Sequence, residues 1–248
     1  MPRRRDSEQL RLAKLGTLFA LALAGQFITR WIAGRYVAHL GAPAQNVSVA
    51  VDLVLLACVP VGFFVAPRLA LPGTPLLDRV LCRDSFAREL NRAIYRSLVL
   101  ALMMLAASLA VATIPHARMP VEGTETPIPL PLALVLAIAA AFREEIEFRL
   151  GLLTVLGWLI ERFSDRKSLS LWIANFVQAI AFGAIHQIAG FTGRTGSLSL
   201  TSVMLEPRTI SGVVLGFAYV RFGLETAIMT HAINDASVFA LAALFARV

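Results

Sequence analysis

Charge is the first thing this sequence is short of. Asp, Glu, Lys and Arg make up 16% of its 248 residues, where a soluble domain carries roughly 25%. With 57% hydrophobic residues, that deficit excludes an ordinary soluble enzyme and points to an integral membrane protein. Strict alternation of apolar and polar residues is missing too, and Leu and Ala outweigh the aromatics, so transmembrane β-strands are excluded. Helices satisfy their own backbone hydrogen bonds in lipid. The expected fold is therefore an all-α, polytopic membrane helical bundle. Cysteine is scarce: Cys58 lies in an apolar run and Cys82 in a basic connection, which argues against a disulfide or metal pair. G-x-S-x-G and H-E-x-x-H are both absent, and the apolar run after the basic N-terminus continues to Ile32, so it reads as a retained first span.

Basic residues are what remains of the charge, with a net of +7. They collect at helix ends and in connections, as expected of a protein facing an anionic leaflet, and give no sign of nucleic acid binding. Candidate spans are 15–32, 47–66, 97–114, 129–160, 169–189, 209–222 and 224–245, seven crossings with eight close behind. The fourth is too long for a simple crossing and implies a tilted helix or a break near Gly151 or Gly157. Arg3, Arg4, Arg5, Arg11 and Lys14 place the N-terminus on the cytoplasmic side, together with the Arg-rich connection 67–96. The loop 115–127, with one Arg against two Glu, belongs outside, and 161–167 returns inside. Within the second connection, Leu77, Leu81, Leu90 and Ile94 recur at helical spacing and suggest an amphipathic surface helix or a solvated connector. No internal repeat is present; the chain reads as one integrated domain, with N-terminal spans over 1–128 and a catalytic membrane core over 129–248.

Ionisable residues inside spans are costly and usually face a cavity, a partner or a substrate path. Three groups stand out: EEIEFR at 144–149, FGAIH at 182–186 and HAIND at 231–235. On a helix Glu145 and Arg149 can pair, while Glu144 points about a quarter-turn away. His231 and Asp235 share one face. His39 and His116 fall in loops. A single membrane histidine is often only a helix–helix hydrogen bond, and a Glu/Arg pair often mutual neutralisation. A double Glu, two His and an Asp on three spans form the inventory of a hydrolytic site, by metal or by carboxylate. Other intramembrane polar groups rank lower. Gln26 and Arg30 sit where Arg can snorkel, Asp52 reads as interfacial, and Asn175 and Gln178 either line the cavity or bond a neighbouring helix. Arg143 and Glu147 have no assigned role.

The three motifs, in this order, resemble the CPBP family of intramembrane proteases, also called the Abi or type II CAAX-protease family, over residues 130 to 245. The resemblance implies that Glu144 activates water, that His186 helps hold that water, and that Glu145 and Arg149 form a structural pair. His231 would stabilise an oxyanion, assisted by Asp235, where many relatives have Asn. An ionised Asp cannot donate a hydrogen bond, so it must be protonated or must orient His231 instead. Glutamate-activated water without a cofactor is favoured over zinc held by Glu144, His186 and His231. The implied activity is an endopeptidase of the bacterial plasma membrane acting on membrane-associated or lipidated proteins: CAAX-like tails, sorting tails or bacteriocin leaders. The rival reading is a non-enzymatic immunity or transport protein that binds an ion or peptide at the same cluster. One distance is left open. His186 lies about 17 residues into its span and His231 about 7 into its own, a mismatch of about 15 Å if the two run parallel.

Overall fold

A computed structural model describes residues 4–36, 42–82, 86–112, 128–164, 166–188, 203–204 and 206–245. His39, His116, the loop 115–127 and most of 189–205 lie outside them, so the expectations about those segments are not addressed. All the regular structure among the described residues is helical. The helices are α1 (Arg4–Tyr36), α2 (Ala42–Val65), α3 (Pro75–Cys82), α4 (Phe86–Ala112), α5 (Leu130–Glu145), α6 (Thr154–Glu161), α7 (Lys167–Ile188), α8 (Pro207–Phe222) and α9 (Leu224–Phe245). A single 3₁₀ turn, Ala66–Leu69, closes α2.

Among the described residues, five helices are long and apolar enough to cross a membrane: 8–32, 49–69, 86–110, 167–187 and 224–244. The chain is a multi-pass membrane protein, with two fewer such helices than the seven crossings expected. The two remaining elements explain the difference. Helix α8 has 16 residues, about 24 Å at 1.5 Å per residue, short of a hydrocarbon core of about 30 Å. The other is the rod from Leu130 to Glu161, which neither breaks at Gly151 nor at Gly157. It continues through a π-helical stretch, Ile146–Leu153, into α6. Such wide turns leave backbone carbonyls poorly placed for the usual helical partners, and they concentrate at functional sites. Here Thr154 closes the stretch: its hydroxyl donates to the Arg149 carbonyl at 2.9 Å and meets the Tyr219 hydroxyl at 2.9 Å.

The expected amphipathic helix is also redrawn. Leu77 and Leu81 lie on the short α3, but Leu90 and Ile94 belong to α4, which already begins at Phe86. Helix α3 is pinned to the bundle, because the Leu77 N–H donates to Glu225 Oε1 at 2.9 Å and the Leu224 N–H to the Gly73 carbonyl at 2.8 Å.

Lipid offers no hydrophobic drive between helices, so close packing and interhelical hydrogen bonds must hold the bundle. The α7–α8 contact shows both. A Cβ at Gly216 would stand 1.8 Å from Asn175 Oδ1, so glycine there leaves the room that the Asn175 and Gln178 amides occupy. Across that contact Asn175 Nδ2 donates to the Val213 carbonyl at 3.1 Å, and Gln178 Nε2 to the Gly212 carbonyl at 3.0 Å. Asn175 and Gln178 thus bond the neighbouring helix. Helix α9 packs along α4, α5 and α8, whereas α7 packs along α8 and α6. The apolar core is continuous through these elements, from Leu18 and Val59 to Leu153, Leu171 and Leu224.

Candidate active site

Glu144 is the penultimate residue of α5, and the π-helical stretch begins two residues later. Both Glu144 and Glu145 are buried, as are Arg149 and His231. The Glu144 carboxylate has a distinct partner on each oxygen. Its Oε1 accepts a short hydrogen bond from Arg143 Nη2. Its Oε2 lies 3.7 Å from His186 Nε2 and 3.9 Å from His231 Nε2. Three elements therefore bring a carboxylate and two imidazoles to one point.

The distance mismatch between the histidines is resolved by how the helices lie. His186 stands nineteen residues after the start of α7 and His231 seven after the start of α9, about 18 Å apart if the helices ran level and parallel. Both rings nevertheless reach the same carboxylate oxygen. This is possible because α9 does not pack along α7; it approaches from the α4–α5 side.

Each ring is held by a different kind of acceptor. His186 Nδ1 is 2.7 Å from the Phe182 carbonyl. A carbonyl only accepts, so Nδ1 carries the proton, and in the neutral ring Nε2 presents a lone pair towards Glu144. His231 Nδ1 is 2.8 Å from Glu145 Oε1, and its Nε2 is 3.3 Å from Asp235 Oδ2. The resemblance leaves Asp235 as a possible orienting group for His231, but the structure puts Glu145 on the orienting nitrogen. Asp235 instead faces the nitrogen that looks towards Glu144. Asn234 turns its amide to Asp235 Oδ1 at 3.2 Å.

Glu145 is therefore a bridge. One oxygen meets His231, and the other is 3.0 Å from Arg149 Nε. Both Glu145 and Arg149 are fully excluded from solvent. The Arg149 contact is close in distance but not aligned as a hydrogen bond, so it is Coulomb attraction at low dielectric that holds it. The guanidinium also lies 4.7 Å from the Phe182 ring centroid. Phe182 packs edge-on against His186 at 4.5 Å and Phe148 at 5.0 Å. One residue thus fixes His186 through its carbonyl and floors the site with its ring.

Sequence reasoning passed over two features. Arg143 is bonded to Glu144, Gln26 and Thr29. Gln26, Arg30 and Asp52 are not separate interfacial groups, since Arg30 Nη2 donates to Asp52 Oδ2 at 2.8 Å and Gln26 Nε2 bonds the same oxygen. The available signal was that Arg143 adjoins the motif and Gln26, Thr29 and Arg30 fall on adjoining faces of one helix.

Among the described residues, no group of three or more His, Cys, Asp or Glu side chains is arranged to hold a metal ion. In the Glu144–His186–His231 set, Oε1 of the carboxylate is committed to a guanidinium, so a zinc ion would have Oε2 and the two imidazoles as its donors. What the site offers directly is a buried carboxylate with one outward oxygen, an imidazole lone pair beside it, and a second ring flanked by two carboxylates.

No curated protein and no solved structure matches the chain. Residues 126–237 match the family model for Rce1-like type II CAAX prenyl endopeptidases. With all three motifs inside that stretch, the chain carries an Rce1-like type II CAAX prenyl endopeptidase domain, that of a membrane protease family consistent with the CPBP resemblance.

Proposed function

We propose that this protein is an intramembrane endopeptidase in which Glu144 activates water. The observation that carries the reading is the placement of Glu144 Oε2 3.7 Å from one imidazole Nε2 and 3.9 Å from another. Groups that far apart can both hydrogen-bond a single water oxygen at about 2.8 Å. Glu144 Oε2 takes a proton from that water while the water oxygen attacks the scissile carbonyl carbon. His186 Nε2 holds the water in line. The carbonyl electrons move to oxygen, and the oxyanion forms beside His231, whose protonated ring donates Nδ1–H to Glu145 and Nε2–H to the new charge. Asp235, which can only accept when ionised, holds that Nε2–H until the carbonyl arrives. The proton on Glu144 then passes to the amide nitrogen as the C–N bond breaks, leaving an amine and a carboxylic acid that gives up its remaining proton to the amine or to solvent.

No step needs a metal. The bond from Arg143 to Glu144 Oε1 supports this, because it already supplies a cation to the carboxylate. The substrate class is a membrane-associated or lipidated protein, and a C-terminal tail following a prenylated cysteine is the form favoured by the family match. Such a substrate reaches a buried site through the bilayer, between helices. The setting is a bacterial plasma membrane with the N-terminus cytoplasmic, supported by the arginines of 3–11 and of 68–96.

The test uses purified protein in detergent and a fluorogenic peptide ending in a farnesylated cysteine and three further residues. Wild type is expected to release the tripeptide. Glu144→Gln should lower the rate by at least about 10²–10⁴-fold, the range for a lost general base, with unchanged membrane insertion. Equal turnover by wild type and Glu144→Gln would end the reading and leave a non-enzymatic ion- or peptide-binding role for the cluster.

A further inference from the structure

The family match covers 126–237, yet the carboxylate at its centre is tied to residues far outside it. Arg143 Nη2 donates to Glu144 Oε1. Its Nη1 donates to Gln26 Oε1 at 3.1 Å and to Thr29 Oγ1 at 3.2 Å, both on α1. Gln26 in turn donates through Nε2 to Asp52 Oδ2 on α2, which also accepts from Arg30 at 2.8 Å. The result is an unbroken donor–acceptor chain through three helices, Arg30–Asp52–Gln26–Arg143–Glu144. Its polarity orients the Gln26 amide: the carbonyl must face the guanidinium and the NH₂ must face the carboxylate.

Packing makes the reach possible. A Cβ at Gly25 would lie 2.6 Å from the Ala139 carbonyl oxygen and 3.0 Å from Arg143 Cβ, so α1 meets α5 backbone to backbone beside Gln26. Thr29 is buried and Arg143 largely so. In that environment a guanidinium turns towards whatever acceptors are fixed nearby, because leaving its N–H groups unpaired is costly. Without the acceptors on α1, the Arg143 fork would keep its bond to Glu144 and the undirected attraction of Glu147 and Asp52, which set no single angle. Glu144 would then be free to rotate its carboxylate away from the two imidazoles.

We propose that Gln26, backed by Asp52, is a positioning residue for the reaction: it holds Arg143, which holds Glu144 so that Oε2 stays aimed at His186 and His231. The N-terminal spans are thus part of the working site. This rests on the reading of Glu144 as the base, and the test separates the two. Each variant is assayed as full-length protein in detergent with the farnesylated peptide, and its thermal midpoint is measured alongside.

Gln26→Leu should lower kcat about 10–100-fold, in line with a misplacement of about 1 Å at the reacting atoms, with KM within about twofold. Gln26→Glu sets two carboxylates against each other and should lower both kcat and the thermal midpoint, whereas Asp52→Asn keeps an acceptor oxygen for Gln26 but removes the charge that pairs with Arg30 and should lower the midpoint. The double variant Q26E/D52N exchanges donor and acceptor at the 26–52 contact with the total charge unchanged. The part-exposed Arg30 then turns from the atom that it shares with Gln26 in the wild type to the carbonyl oxygen of the new amide at position 52. It should recover kcat to within about threefold of wild type and regain the midpoint lost by either single change.

A purely structural role would move the midpoint but leave kcat per folded molecule at the wild-type value, and that result overturns the proposal. So does a double variant no better than its parents in either measurement. If Glu144→Gln is inactive while Gln26→Leu keeps full kcat, only the positioning role falls. If Glu144→Gln retains turnover, the base assignment falls with it. The midpoint arm reads the chain even where the peptide is not cleaved: failure of Q26E/D52N to regain it refutes the exchanged 26–52 contact, and with it the proposal.

Discussion

The sharpest consequence of the site concerns the asymmetry of the Glu145–Arg149 pair. Glu145 has two cationic or donor partners, Arg149 at 3.0 Å and His231 Nδ1 at 2.8 Å. Arg149 has one anionic contact, and for the rest the faces of Phe182 and Phe148. Both side chains are at zero exposure. Glu145→Gln therefore strands a buried guanidinium, which costs about 3–5 kcal/mol when one partner of a buried pair is removed. Arg149→Met leaves Glu145 its hydrogen bond to His231 and keeps an apolar stem of similar length, so the loss is smaller than that of Glu145→Gln. Removing both charges is often neutral, so Glu145→Gln/Arg149→Met should be more stable than Glu145→Gln alone. At about 2–4 °C per kcal/mol for a domain of this size, Glu145→Gln lowers the midpoint by about 6–20 °C. Intrinsic fluorescence of the three tryptophans during heating in detergent reads all three variants. If Arg149→Met is as damaging as Glu145→Gln, or the double variant is no better than Glu145→Gln, Glu145 is not the bridge described above.

Further expectations concern the scaffold and the chemistry. Gly216→Ala forces a Cβ to within 1.8 Å of Asn175 Oδ1 and should cost about 1–3 kcal/mol as overpacking, seen as a lower midpoint with kcat per folded molecule unchanged. Thr154→Val removes the hydroxyl that serves the Arg149 carbonyl and the buried Tyr219 hydroxyl. It should cost about 1–3 kcal/mol for the groups left unpaired, and Thr154→Ser should recover most of it. Elemental analysis of purified, active enzyme is expected to find no stoichiometric metal, with activity surviving a chelator; one zinc per chain, lost together with turnover, would replace glutamate-activated water by metal-assisted hydrolysis.

Much of the site was legible along the chain because charge in a membrane span is too costly to be incidental. Glu144, Glu145, Arg149, His186, His231 and Asp235 stand out for that reason alone, without any knowledge of the fold. The helical character was legible for a related reason, since lipid permits few other backbones. What pattern could not supply was the partner of each side chain. A separation of four residues suggests that Glu145 meets Arg149, but nothing local says that its second oxygen meets His231, 86 residues away. Arg143 looked idle because two of its three acceptors, Gln26 and Thr29, are on α1, more than a hundred positions earlier. Asn175 and Gln178 were ambiguous because a polar side chain in a span has the same appearance whether it faces a cavity or a neighbour's carbonyl. Local geometry was hidden for a similar reason: hydropathy registers an apolar stretch but not that α8 is short or that 146–153 widens into π-helix.

The sequence by itself determined that this is a helical membrane protein with a few expensive polar residues, because transfer energies act on each residue independently of the rest of the fold. Only the tertiary structure decided which oxygen of Glu144 is tethered and which is presented, which carboxylate orients His231, and how histidines about 18 Å out of level converge. Those outcomes depend on how α1, α2, α5, α7 and α9 cross, and a crossing is set by shape complementarity between distant segments, which leaves no periodic trace in either one.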